Sequence, residues 1–186
     1  MQAIYDFDFA VLDALQKIHN TFLDRFFAVF TYLGEGGAMW ILLAVGFMIF
    51  KSTRRLGISC TAGLVSDLLI NELLIKNIVK RPRPFTLHPY IDTIVHRPSS
   101  YSFPSGHSCV AFTCATVIFC YNRKLGIAAY ATAVLIAFSR NYFYVHFPTD
   151  VIAGMLDGIL LGILSTLLMK KVFALYDSRN KTEGAA

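Results

Sequence analysis

TDVIAGMLDGILLGILSTLLM, residues 149–169, decides the fold class. Its twenty-one residues carry only two charges, Asp150 and Asp157, and are otherwise apolar or small. A bilayer hydrocarbon core about 30 Å thick takes roughly 17 to 25 such residues as a helix, so the stretch reads as a membrane span. Gly154, Gly158 and Gly162 recur at every fourth position, a spacing that lets a neighbouring helix approach closely, and they are read as packing residues. Asp157 lies seven positions beyond Asp150 and shares its face.

The same pattern repeats towards the N-terminus. Apolar runs at 37–50, 56–79, 105–121 and 125–144 join 149–169 in a chain of 186 residues that is 55% hydrophobic and only 16% charged, with a mean hydropathy of +0.54. That composition fits a polytopic membrane protein and leaves no room for a separate soluble domain. The expected fold is all-α, a transmembrane helical bundle of five to six spans forming one domain over 1–186. Residues 1–35 are expected as interfacial amphipathic helices, 36–171 as the bundle and 172–186 as a polar, flexible tail. In the first segment Phe7, Val11, Ala14, Leu15 and Ile18 recur at helical spacing among Asp6, Asp8, Asp13 and Lys17, which suggests a helix lying in the membrane interface. Its acidic start argues against a signal peptide. Thr21 and Asp24 resemble a capping box opening the next helix. Asp67, Asn71, Glu72 and Lys76 are expensive in lipid and are expected to face protein or water.

The net charge of +5 is split among Lys51, Arg54 and Arg55, then Arg123 and Lys124, then Lys170 and Lys171, each group at the end of an apolar run. Such clusters mark cytoplasmic loops and make no single basic patch for nucleic acid. With five spans they place the loop 80–103 and the polar junctions beside it on the outer face. Cys60, Cys109, Cys114 and Cys120 fall inside the runs without metal-ligand spacing and read as small apolar helix residues. His88 and His96 fit no recognised ligand pattern.

Three polar clusters meet at the outer face: KNIVKRPRP from Lys76 to Pro84, PSGH from Pro104 to His107, and SRNYFYVHFPTD from Ser139 to Asp150. Cations, two histidines and a carboxylate are the equipment of phosphoryl transfer, whose transition state spreads negative charge over the equatorial oxygens. Taken singly, Pro-Ser-Gly-His is an ordinary loop-to-helix junction, Asp150 a helix cap and Lys76 a partner for Glu72 one turn earlier.

Together the clusters resemble the KxxxxxxRP, PSGH and SRxxxxxHxxxD signature of the type 2 phosphatidic acid phosphatase superfamily. The resemblance implies His146 as nucleophile, Asp150 as the group that orients it and His107 as general acid. It implies Lys76, Arg83, Arg140, Ser105 and Gly106 as phosphate-binding residues, with Pro104 and Ser139 as supporting groups. It implies neither cofactor nor metal. Lys80 and Arg81 lie outside the matched positions and read as markers of the membrane surface. The implied protein is a multi-pass cell-membrane enzyme with an extracytoplasmic site. Its implied partners are membrane lipids and a lipid phosphate or pyrophosphate, with undecaprenyl pyrophosphate first and phosphatidylglycerophosphate or phosphatidic acid as alternatives. A membrane protein that binds anions without hydrolysis is the competing class. The sequence leaves the oligomeric state open.

Overall fold

The computed structural model describes residues 2–91 and 93–183, and no strand occurs among them. Among the described residues nine α-helices follow one another: α1 Gln2–Gln16, α2 Thr21–Leu33, α3 Ala38–Ile49, α4 Arg54–Asp67, α5 Lys76–Val79, α6 Pro84–Leu87, α7 Gly106–Tyr121, α8 Arg123–Tyr142 and α9 Pro148–Glu183. A 3-10 turn at Glu35–Gly37 joins α2 to α3, and a π-helical segment, Leu68–Ile75, carries α4 into α5. The runs Arg54–Leu87 and Pro148–Asn180 are long and apolar enough to cross a membrane, and α2 with Glu35–Ile49, bent by 45°, is so only when the bent pair is taken as one unit. Helix α7 is apolar but shorter.

Helix α7 forms the centre, packed between α8, α9 and α4, with Cys109, Ala111, Ala115 and Val117 fully buried. The glycine repeat does what its spacing predicts: a Cβ on Gly158 would stand 2.4 Å from the Cys109 carbonyl oxygen, so only glycine lets α9 lie this close to α7. The opposite face of α9 exposes Leu156, Leu160, Leu164 and Leu167, an apolar surface suited to lipid.

Helix α1 turns Asp8 and Leu12 into the protein, with Tyr5 and Phe9 beside them, whereas Phe7 of the apolar stripe, and Ile18 just beyond the helix, stay exposed. Pairing Asp8 inside the protein outweighs burying those apolar side chains, which lipid can cover. Two local expectations need correction. The cap of α2 is Asn20, whose Oδ1 accepts from the Phe22 and Leu23 amides at 3.1 and 3.0 Å, so Thr21 is the first helical residue. Lastly, α9 runs on to Glu183 where a flexible tail was expected after Lys171. Residues 172–183 contain no glycine or proline to end the helix, and Arg55 pins Asp177 at 2.6 Å while its guanidinium lies 5.2 Å from the Phe173 ring. Residues 184–186 of the expected tail lie outside the described residues.

Candidate active site

The site is assembled where chain ends of several helices converge. Helix α5 stops at Lys80, which adopts a positive φ of 50°, and the chain leaves in extended form to present Arg83. Helix α8 stops at Tyr142; the amides of Val145 and His146 then fold back onto the Arg140 carbonyl at 3.1 and 3.3 Å, and Asn141 Nδ2 holds the His146 carbonyl at 2.9 Å. Pro148 begins α9 with a φ that suits the first turn, which sets Asp150 one turn after His146. The Ser105 amide donates to the Asp150 carbonyl at 3.1 Å and ties the start of α7 to the start of α9.

His146 is buried, with Nε2 3.0 Å from Arg83 Nη1 and Nδ1 3.5 Å from Ser102 Oγ and 3.8 Å from Asp150 Oδ2. Ser102 Oγ in turn donates to Asp150 Oδ2 at 2.5 Å, and the Phe147 amide donates to the same oxygen at 3.0 Å. Asp150 therefore reaches the imidazole largely through Ser102, a residue the sequence reading missed. Burial first, then the positive charges of Arg83, Arg140 and Lys76, hold the His146 imidazole well below its ordinary range. A ring kept neutral, with Nδ1–H directed at Ser102 and Asp150, leaves the Nε2 lone pair free for Arg83 or for an electrophile.

Arg83 is fixed by the Ser100 and Val145 carbonyls at 2.7 and 2.9 Å. Arg140 is buried and donates through Nη1 to Thr31 Oγ1, while its Nε has no hydrogen-bond partner. Lys76 Nζ holds Glu72 Oε1 at 2.5 Å, and that oxygen lies only 2.2 Å from where a Cβ on Gly106 would stand. His107 Nε2 is buried without a hydrogen-bond partner, 3.6 Å from Glu35 Oε2 in the turn between α2 and α3. Lys76, Arg83, Gly106, His107, Arg140 and His146 share one cavity of about 670 Å³. From this polar end the cavity continues between Ile41, Val45 and Met48 on one side and Leu64, Val65 and Leu68 on the other.

The remaining expected residues lie outside that wall. Ser105 is fully buried, accepting from Ser108 Oγ at 2.9 Å, and Pro104 is buried ahead of it. The Ser139 hydroxyl donates to the Ile136 carbonyl at 2.6 Å within its own helix, and its carbonyl accepts from the Phe143 amide at 3.0 Å in the turn that leads to His146. Arg81 is no surface marker; it is 11% exposed and pairs with Asp150 Oδ1 at 2.5 Å and Asp8 Oδ2 at 2.6 Å. His88 packs with Phe9 and bonds Tyr144 Oη at 3.0 Å, whereas His96 is exposed. Among the described residues no group of three or more His, Cys, Asp or Glu side chains is arranged to hold a metal ion.

Residues 56–174 match the model of the PAP2 superfamily. An undecaprenyl-diphosphatase of Sulfolobus acidocaldarius is 34% identical over 68% of this chain, and the matched stretch spans 62% of that protein. An undecaprenyl-diphosphatase of Bacillus subtilis is 30% identical over 78% of this chain and 75% of its own length. Among solved structures, a transmembrane PAP2-type phosphatidylglycerolphosphate phosphatase from Bacillus subtilis superposes with a TM-score of 0.76 at 29% identity, covering 92% of this chain and 89% of that one.

Proposed function

The chain belongs to the PAP2 superfamily, and on that premise we propose that it is a multi-pass membrane phosphohydrolase that cleaves a lipid phosphate or pyrophosphate without a metal. One observation carries the reading: His146 lines a cavity that gathers Lys76, Arg83 and Arg140, with Glu35 and Glu72, at one end and is mainly apolar along the rest, where Thr61 and Asp67 are the polar exceptions, a shape that suits a phosphate headgroup on a lipid tail. Relatives that act on undecaprenyl diphosphate favour that lipid as the first substrate; the likeness to a phosphatidylglycerolphosphate phosphatase makes that phospholipid the alternative.

In the proposed mechanism Arg83, Arg140 and Lys76 bind the terminal phosphate oxygens, and Arg83 exchanges its contact with His146 Nε2 for one of them. His146 Nε2 attacks phosphorus, forming an N–P bond as the P–O bond to the lipid breaks. His107 donates its proton to the departing oxygen. The same residue then takes a proton from water as that water cleaves the phosphohistidine, releasing inorganic phosphate and restoring both histidines. Asp150, through Ser102, steadies the positive charge that His146 acquires. The basic clusters at 51–55, 123–124 and 170–171 support a five-span arrangement, with α1 and the first turns of α7 and α9 on the extracytoplasmic side.

The test is phosphate release from both lipids by purified protein in excess chelator, with acid-labile phosphoprotein trapped in the wild type. His146→Ala is expected to abolish both signals, with at least a thousandfold loss of turnover on the scale of losing a catalytic nucleophile. Turnover of neither lipid, or full turnover by His146→Ala, would sink the proposal.

A further inference from the structure

A buried chain of charges lies behind His146, and none of the steps above uses all of it. Asp150 offers its two oxygens to different partners: Oδ2 faces Ser102 and His146, while Oδ1 accepts from Arg81 Nη1 at 2.5 Å. Arg81 Nη2 donates to Asp8 Oδ2 at 2.6 Å, and Asp8 also accepts from the Thr149 amide at 3.0 Å and the Thr149 hydroxyl at 2.6 Å. Asp8 and Asp150 are fully buried, and the Phe147 and Tyr5 rings lie 4.1 and 4.9 Å from the Arg81 guanidinium. Docking α1 does not need a charge here, because Leu12 with Tyr5 and Phe9 already supplies an apolar seam against Tyr144 and Phe147. A buried aspartate costs desolvation that only its partners offset.

We propose that Asp8 and Arg81 are positioning residues of the reaction: Arg81 holds the Asp150 carboxylate in the orientation that serves His146, and Asp8 keeps Arg81 from cancelling its charge. The N-terminal helix thereby becomes part of the catalytic apparatus. The inference rests on His146 being the nucleophile.

Opposite charges at the two positions give opposite signatures. The groups acting on His146 are Arg83 from the loop after α5, Lys76 of α5, His107 of α7, Arg140 of α8 and Asp150 of α9, and all remain in both variants below. Asp8→Asn removes a negative charge, leaves the imidazolium less stabilised and moves the acidic limb of kcat/KM to lower pH. Arg81→Gln removes a positive charge and moves the same limb to higher pH. Each displacement is expected at roughly half a pH unit or more. Neither residue lines the cavity, so kcat is expected to fall about 10- to 100-fold, as for a catalytic group displaced by about an ångström, with KM within about threefold.

The experiment is the pH profile of both variants in detergent, with thermal melting to confirm folding. Limbs displaced in opposite directions support the proposal; coincident or unmoved limbs overturn it. Should either variant fail to fold, Asp8→Glu and Arg81→Lys decide: unmoved limbs with a severalfold lower kcat support it, and wild-type kcat in both overturns it. Failure of the parent reading shows separately, as a wild type that forms no phosphohistidine.

Discussion

Replacing Gly106 with alanine separates what the polar end of the cavity does for stability from what it does for chemistry. The new Cβ would stand 2.2 Å from Glu72 Oε1 and 3.4 Å from Lys76 Nζ. The carboxylate is the end of a flexible side chain, so it yields by about an ångström, roughly the distance back to ordinary contact. Its pair with Lys76 weakens; Glu72 is one-third exposed, which keeps that loss to about 1 kcal/mol or less. Alanine in place of glycine at the start of α7 returns a similar amount, up to about 1 kcal/mol. Net stability should therefore change by less than about 1 kcal/mol. The methyl group nevertheless enters the cavity at the α7 N-terminus and stands against Lys76, which binds a phosphate oxygen in the proposed mechanism. Losing one well-aimed donor in the transition state costs about 2.7 to 4 kcal/mol, so kcat should fall on the order of 100- to 1,000-fold. The assay pairs steady-state phosphate release with thermal unfolding of the same preparation. A variant that melts like the wild type and keeps kcat within about threefold would refute the expectation that Gly106 borders the bound phosphate.

Two further predictions concern stability. Because His146 is held well below its ordinary range in the folded protein, the unfolded chain binds the extra proton first; stability contributed by the neutral ring is full above about pH 6.5 and is lost as pH falls below it, by up to about 1.4 kcal/mol per unit. Melting temperatures followed from pH 7.5 to 5 should show that slope in the wild type and a shallower one in His146→Gln; equal slopes would refute it. Gly158→Ala, whose Cβ would meet the Cys109 carbonyl at 2.4 Å and the Thr113 amide at 3.0 Å, must push α9 from α7 and should destabilise by about 1 to 3 kcal/mol, read as a lower melting temperature in detergent; an unchanged one would contradict the close packing.

Much of the molecule is legible in its sequence because the signals are local. Hydropathy locates α3, α7, α8 and the start of α9 to within a few residues of where they lie, and Pro148 ahead of Asp150 announces the first turn of α9, although α9 runs on well past the expected end of its span. The convergence of His107, Lys76, Arg83, Arg140 and His146 on one cavity could be anticipated because each sits near a helix end that topology brings to the same face. What the sequence could not disclose is which buried polar group answers which. Asp8 meets Thr149 across 141 positions, Arg81 meets Asp150 across 69, and Arg140 meets Thr31 across 109. Periodicity made Asp8 one of the polar residues beside an apolar stripe, and composition made Arg81 a surface cation. Helix packing reverses both assignments, because a charge excluded from water and lipid is stable only where another chain segment supplies its partner. The sequence by itself determined the helices and the residues equipped for phosphate chemistry; the tertiary structure decided that Ser102 stands between Asp150 and His146, and that α1 turns its Asp8 inward to face Arg81.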